Sequence, residues 1–374
     1  MSTAILSSEF KLMLSCCRII PGNKELEQRE DAFAETIDED YFWALVLRHR
    51  IYPIVWFNLQ REARLSMGLK EKLKQFSENN QRHALQSLLM QYRMQKVFDE
   101  QRFKGFFLKG VTLSELYYDD PGIRHVMDLD CWVEESAIGH ATEWLYNEGY
   151  VSMPDIRTLN AKQLDFIKKT DHDLQFIAEK PGLPSIVELH WKLRGPLGGF
   201  NLNPDSPMNE VDNFLYLCAH GTEHGWFRLK WLFDLPQIMD RVAFDWAQVR
   251  DRAIMLDCLD HLEITMLVLQ SMLNEPIPEV INVHLHVSKY TTQLKYIHAA
   301  IASSSVFNDN DANRLAYLRY MRSLSRKKNN RGLVLKYLTS PKDWELLPLP
   351  SGLFFLYFPL RPFLFLWRRF FENR

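Results

Sequence analysis

The sequence predicts an α+β protein: a small mixed β-sheet core flanked by N- and C-terminal helical regions. Three observations predict it. Between residues 101 and 195, short apolar runs alternate in period two and are parted by Gly, Pro, Asn and Asp clusters. On both sides of that stretch, apolar residues recur at helical spacing. The longest of these helical windows, about Lys70 to Phe98, holds no proline. Four segments follow: an N-terminal helical region (1–100), an α/β core (101–195), a C-terminal helical domain (196–331), and an aromatic, proline-rich tail (332–374) packed on the helical domain.

Each element has its own signal. The first twenty residues carry Glu9 and Lys11 inside an apolar pattern and no basic leader, so they read as a packed helix and not a signal peptide. Asp38-Glu39-Asp40 starts a helix with Phe42, Leu45 and Val46 on one face. Arg48-His49-Arg50 sits at its end, where cations suit the dipole. Tyr52-Pro53 breaks it. In the long helix, Leu85, Leu88, Leu89 and Tyr92 form the apolar stripe expected to face the core. Phe106 to Leu108 is a strand, followed by a helix over about 112–118 with Leu113, Leu116 and Tyr117 on one face. Met127 to Val133 is the next strand. Ser136 should cap a helix closed at Gly149, then come a strand at 150–153, a helix over about 159–169, and a hairpin of the Asp173 and Ile186 strands turning at Pro181-Gly182. The 195–207 stretch is a Gly/Asn/Pro-rich linker. Beyond it, stripes at Phe214–Cys218, Trp226–Leu235 and 257–273 predict helices.

Bulk composition narrows the function little. The chain has 374 residues, ample for a substantial core, and a formal net charge of −2 that gives no general polyanion-binding signal. Its five cysteines form no Cys-x-x-Cys pair and no even framework. They read as buried thiols in a reducing, cytoplasmic compartment. The run Arg322, Arg326, Lys327, Lys328, Arg331 reads as a solvated loop. The 346–371 tail is nearly long enough to span a bilayer, but Pro348, Pro350, Pro359, Pro362 and Arg361 interrupt it. It therefore reads as no transmembrane span, with packing on the protein favoured over membrane-surface contact.

The stretch Phe106–Val133 carries the chemistry. In the strand Met127-Asp128-Leu129-Asp130-Cys131, side chains two apart share a face, so Asp128 and Asp130 project together. Two adjacent carboxylates repel unless a cation lies between them, and a hard divalent ion with oxygen ligands is the usual solution. Ile186-Val187-Glu188-Leu189-His190 puts Glu188 and His190 on one face of a later strand. His172 and His190 read as neutral histidines bonded within the fold. His220 and His224 share a helix face, but no glutamate directly follows the first and no third ligand is evident, so zinc is disfavoured.

These parts, in this order, resemble the nucleotidyltransferase superfamily that includes DNA polymerase beta. More closely they resemble a bacterial family of uncharacterised nucleotidyltransferases and the abortive-infection toxin nucleotidyltransferases. The matching parts are the strand and turn Leu108-Lys109-Gly110, Arg124, Asp128-Leu129-Asp130 and the Glu188 strand. One departure is Gly110-Val111, where many members carry a second small residue. The likeness extends to the His220-x-x-x-His224-x-Trp226 element ahead of Asp234 and to the tail. It implies transfer of a nucleoside monophosphate from a nucleoside triphosphate to an unidentified acceptor, a small molecule, a protein or tRNA, at a two-ion Mg²⁺ site. Asp128, Asp130 and Glu188 would be catalytic and metal-binding. Lys109, Gly110 and Arg124 would meet the phosphates, although Lys109 could equally be solvated and Arg124 a structural tether. The element carrying His220 and His224 would line the nucleotide or acceptor cleft from the helical domain, with Arg228 and Lys230 near the phosphates. The alternatives are a catalytically degenerate nucleotide- or partner-binding scaffold and a tRNA-directed toxin.

Overall fold

The computed structural model describes residues 6–193, 208–303, 311–324 and 338–371. The first hundred residues are helical: α1 (Ser8–Leu14), α2 (Asn23–Phe33), α3 (Glu39–His49), α4 (Tyr52–Leu59) and the long α5 (Met67–Gln101). Asp38 caps α3 by accepting from the Tyr41 amide, and Arg50 closes it in a left-handed conformation. The sheet unit follows: β1 (Gly105–Phe107), α6 (Gly110–Tyr117), β2 (Asp128–Val133), α7 (Ile138–Glu148), β3 (Tyr150–Met153), α8 (Ala161–Thr170), β4 (Asp173–Ala178) and β5 (Ile186–His190). The strand order is β1-β2-β5-β4-β3. Only β2 and β5 are parallel, so the sheet is mixed. The chain then returns to helices: α9 (Glu210–Glu223), α10 (Leu229–Arg241), α11 (Trp246–Met255), α12 (Leu259–Leu273), α13 (Glu279–Asn282), α14 (Thr291–Ala302) and α15 (Asp311–Leu324). Last come α16 (Pro341–Leu346) and α17 (Tyr357–Phe371). The 195–207 linker and, apart from Arg322, the basic run lie outside the described residues.

The α+β architecture expected from the sequence is the one observed. Two cores hold it. Leu129, Cys131, Val187, Leu189, Leu174 and Phe176 point to one face of the sheet and are buried with Met90, Met94 and Phe98 of α5 and Leu145 of α7. The second core joins Phe42, Leu45 and Val55 of the N-terminal helices to Phe214, Leu217, Leu232 and Leu269 of the C-terminal ones. The two helical regions thus share one interior. Phe106 and Trp132, ring centroids 5.0 Å apart, connect that interior to the sheet.

Several local expectations are corrected. The stripe Leu85, Leu89, Tyr92 faces outward, and α5 instead buries Ala84, Ser87, Met90, Met94 and Phe98. Both sets fit the helical period, so the period alone did not choose the face. In α6, Leu116 is exposed while Val111, Leu113 and Tyr117 are buried. α7 is entered through a short 3₁₀ turn at Glu135–Ala137 instead of a Ser136 side-chain cap. The tail packs on the sheet unit, not on the helical domain: Trp344 and Phe354 lie against Phe166 of α8, with ring centroids 6.0 and 5.5 Å away. Asn160 at the start of α8 donates to the Leu349 carbonyl. The apolar face of α8 needs a cover, and the tail supplies it. Among the described residues no helix is long and apolar enough to cross a membrane.

The outward stripe is testable. Met94→Ala should lower the unfolding free energy by about 2–5 kcal/mol, the range for large-to-small core changes. Leu89→Ala should stay within about 0.5 kcal/mol. Urea unfolding followed by circular dichroism reads both, and equal losses would contradict this orientation of α5.

Candidate active site

The site is built on the sheet face opposite the first core. In the β2–β5 register, Asp128 lies beside Ile186, Asp130 beside Glu188 and Trp132 beside His190. In the β4–β5 register, Gln175 lies beside Glu188 and Asp173 beside His190. Partners in register share a face, so Asp128, Asp130, Glu188, His190 and Asp173 all project to one side. Glu188 sits on an interior strand, flanked by both neighbours.

Cations from the chain answer part of this charge. Lys109 Nζ is 3.2 Å from Asp130 Oδ1. His190 Nε2 is 3.1 Å from the same oxygen and 3.6 Å from Glu188 Oε2. Burial alone would raise the Asp130 pKa, but Lys109 and His190 hold it well below the usual carboxylate range. Burial works against the charge on Lys109 too, yet Asp130, Tyr216, Asp128 and Glu188 push its pKa up. Burial also opposes the His190 charge, while Asp130 and Glu188 outweigh it and lift its pKa to about 9. His190 is therefore charged near neutral pH, not the neutral histidine the sequence suggested. Glu188 is drawn down by His190, but burial and the neighbouring Asp130 and Asp128 leave its pKa raised. Ligand atoms of Asp130, Glu188 and His190 lie within 4.8 Å of one another.

The turn after β1 brings Lys109 here at a backbone cost. Lys109 has φ +32° and Gly110 φ +51°, the left-handed region that favours glycine. A Cβ on Gly110 would lie 3.2 Å from the Asp128 carbonyl oxygen, which would crowd the strand. The side chain of Val111, the departure from the family pattern, is wholly buried in the sheet core. Tyr216 of α9 closes over Lys109, its ring 5.6 Å from Nζ.

Arg124 has its structural role here. Its Nε and one terminal nitrogen donate to both oxygens of Asp234 at 2.7 and 2.9 Å, and the other terminal nitrogen donates to the Gly110 carbonyl. Tyr118 also donates to Asp234. All are buried. Of the two roles the sequence left open, this is the tether: it ties the glycine turn to α10 and is spent on that contact. Asn80 of α5 holds the same loop, donating to the Gly122 and Arg124 carbonyls and accepting from the Val126 amide.

A second group of cations faces Asp128. Arg50, at the end of α3, reaches Met127 and feels Asp128. Arg228 is the N-cap residue of α10, and Lys230 is its second residue. Neither Arg50, Arg228 nor Lys230 forms an ion pair with a carboxylate among the described residues. Burial, then the neighbouring Arg124, lowers the Lys230 pKa to about 7. Burial, then Arg50 and Arg48, lowers that of Arg228 to about 10. Burial lowers that of Arg50 as well, against the pull of Asp128. Arg50, Arg124, His125 and Lys230 line a small pocket with Tyr118 and Phe233. The junction is fixed by contacts between α3 and the start of α10: the Leu229 amide donates to His49 Nδ1, and Arg48 donates to the Phe227 and Ala300 carbonyls.

His220 and His224 form an aromatic group with Trp231 and Phe227, their own rings 4.6 Å apart. Burial, then Lys109 and His224, depresses the His220 pKa well below its ordinary value. The structure thus gathers Asp130, Glu188, His190 and Lys109 at one point and sets Asp128 toward Arg50, Arg228 and Lys230. Arg50 is the member that sequence reasoning did not place near the site, and His190 the one it gave no role there. Arg50 is 78 positions from Asp128, and no local pattern links them. The parity of His190 with Glu188 was the available signal for the other.

A family model described as uncharacterised nucleotidyltransferase matches residues 35–210 and 206–274. The chain belongs to this nucleotidyltransferase family. The match begins before α3 and runs through α12, so it spans both the sheet and the helices that carry Arg50, Arg228 and Lys230. Comparison with curated proteins and with solved structures gives no match.

The Arg124–Asp234 clip gives a prediction. Arg124→Met alone leaves a buried, uncompensated Asp234 and should cost about 3–5 kcal/mol. Arg124→Met/Asp234→Leu should recover most of that loss. A double-mutant cycle by urea unfolding measures the coupling, and additive losses would deny it.

Proposed function

We propose that this nucleotidyltransferase moves a nucleoside monophosphate from a nucleoside triphosphate to a hydroxyl of an acceptor. The observation that carries the reading is the unpaired cation group beside Asp128. Buried positive charges without counter-ions are costly. Lys230 and Arg228 also stand at the N-terminus of α10, the positive end of its dipole, where a cation is disfavoured. A bound polyanion supplies the counter-charge and is itself favoured at that helix end. A triphosphate suits the site, because the same helix N-terminus offers amide donors and the arginines offer planar forks.

Asp128, Asp130 and Glu188 would hold divalent magnesium. An all-oxygen carboxylate set on one sheet face fits such an ion. When bound, the ion supplies positive charge to the phosphoryl oxygens and to the pyrophosphate leaving group. The residues do the rest. Arg228, Lys230 and Arg50 orient the triphosphate. Gly110 lets the chain run close to Asp128 at the turn. Glu188, across from Asp130 in the β2–β5 register, takes the proton of the acceptor hydroxyl as its oxygen attacks the α-phosphorus and pyrophosphate leaves. Lys109 keeps Asp130 ionised. His220 and His224 form the aromatic wall of the cleft on the nucleotide side.

Titration calorimetry with ATP, GTP, CTP and UTP and Mg²⁺ tests this. One nucleotide should bind in a metal-dependent manner, and Asp128→Ala/Asp130→Ala should lose that binding. Lys230→Met should weaken binding about 10- to 100-fold, as expected for one charge-assisted contact. A folded protein that binds none of the four would overturn the reading.

Proton linkage gives an independent check. In the free protein Lys230 loses its proton above about pH 7, and a triphosphate beside it raises that pKa. Binding at pH 8 should therefore take up a proton, and binding at pH 6 should not. Calorimetry in two buffers of different ionisation enthalpy reads the uptake, which Lys230→Met should abolish.

A further inference from the structure

A second group of ligating side chains adjoins the carboxylates and has no part in the transfer reading. His172 immediately precedes β4, and Asp173 opens it. Asp173 stands directly across from His190 in the antiparallel β4–β5 register. His172 Nε2 is 3.0 Å from Asp173 Oδ1, and the His172 and His190 rings are 5.9 Å apart. Ligand atoms of His172, Asp173 and His190 all lie within 4.8 Å of one another. We propose that His172, Asp173 and His190 form a binding site for a divalent first-row transition metal.

The donor set decides the class of metal. Two imidazoles and one carboxylate suit Zn²⁺, Mn²⁺, Fe²⁺ or Co²⁺, whereas magnesium favours oxygen ligands and keeps its waters. Three protein donors leave coordination positions open to water or substrate.

The surroundings of His190 are an independent argument. A metal-bound histidine characteristically gives its second ring N–H to a carboxylate, which fixes the tautomer and makes the ring a better ligand. His190 Nε2 lies 3.1 Å from Asp130 Oδ1 in a buried setting. With that nitrogen held by Asp130, Nδ1 would be the metal ligand, and an ion bound there displaces the proton on it. The backbone is braced as well, since the Trp191 amide donates to the His172 carbonyl. His172 and Asp173 are each about a quarter exposed, which gives an ion a route in. The site would orient His190 and, through it, Asp130. It does not depend on nucleotide transfer.

The test is Co²⁺ titration of the full chain after dialysis against a chelator, read by visible d–d absorption. Wild type should develop d–d bands on binding Co²⁺ at this site. His172→Gln and Asp173→Asn, at positions about a quarter exposed, should each raise the Kd at least about 100-fold, the upper end of what losing a hydrogen-bond partner of a ligand alone costs. Asp128→Asn should leave the Co²⁺ spectrum unchanged. Circular dichroism confirms that each variant is folded. Absence of the bands in folded wild type would overturn the proposal. So would bands that persist in His172→Gln, or bands lost in Asp128→Asn and kept in His172→Gln, which would put the ion at the carboxylates. ATP titration of the same variants separates this result from the transfer reading, because nucleotide binding can fail while the Co²⁺ spectrum stays, and the reverse.

Discussion

Carboxylates that share one face of a β-sheet repel each other, and the rest of this molecule is arranged around that repulsion. Asp128, Asp130, Glu188 and Asp173 lie on one face because of strand parity and register alone. The chain answers with Lys109 and His190, each held against Asp130. Placing Lys109 there requires a non-glycine residue at positive φ, a strain of about 1–3 kcal/mol. Such strain persists only where neighbouring structure enforces it. Here the following Gly110, the Arg124 contact to its carbonyl and the Tyr216 ring above Lys109 do so.

The same constraint explains why the helical regions are not accessories. The sheet provides negative charge; the N-terminal helices and α10 provide the positive. Arg50 and Lys230 are far apart in sequence, but α3 and the start of α10 are joined by the His49 contact to the Leu229 amide and the Arg48 contact to the Phe227 carbonyl. Arg124 and Asp234 then fix α10 to the glycine turn. These links tie three sequence segments together, and the first and last helical regions share one apolar interior. The family match, residues 35–210 and 206–274, includes every residue that makes these links, from Arg48 to Asp234.

The sequence made the local chemistry legible and left the long-range chemistry dark. Strand parity placed Asp128, Asp130, Glu188 and His190 on their faces, because period two depends only on neighbours. The strand order, the parallel β2–β5 pair and the buried side of α5 were beyond it, since each is settled by what packs against the element. Leu85, Leu89 and Tyr92 make as good a stripe as Met90, Met94 and Phe98, and only the presence of the sheet distinguishes them. Arg124 shows the same limit. Its charge and position read equally well as a phosphate clamp or a tether until Asp234, 110 residues later, is seen beside it. The charge on His190 likewise depends on Asp130, which lies on another strand.

A protein does not keep buried cations unpaired for stability. Lys230 costs folding free energy twice: burial strips its water, and the α10 dipole opposes its charge. Arg124, equally buried, is desolvated too, but Asp234 offsets that cost and holds its charge. The contrast between these neighbours separates structure from function within a single pocket. Where the fold needed a cation it supplied a carboxylate. Beside Asp128 stand Arg50, Arg228 and Lys230, which among the described residues form no ion pair with a carboxylate, and the proposed triphosphate would bring the negative charge that completes the balance.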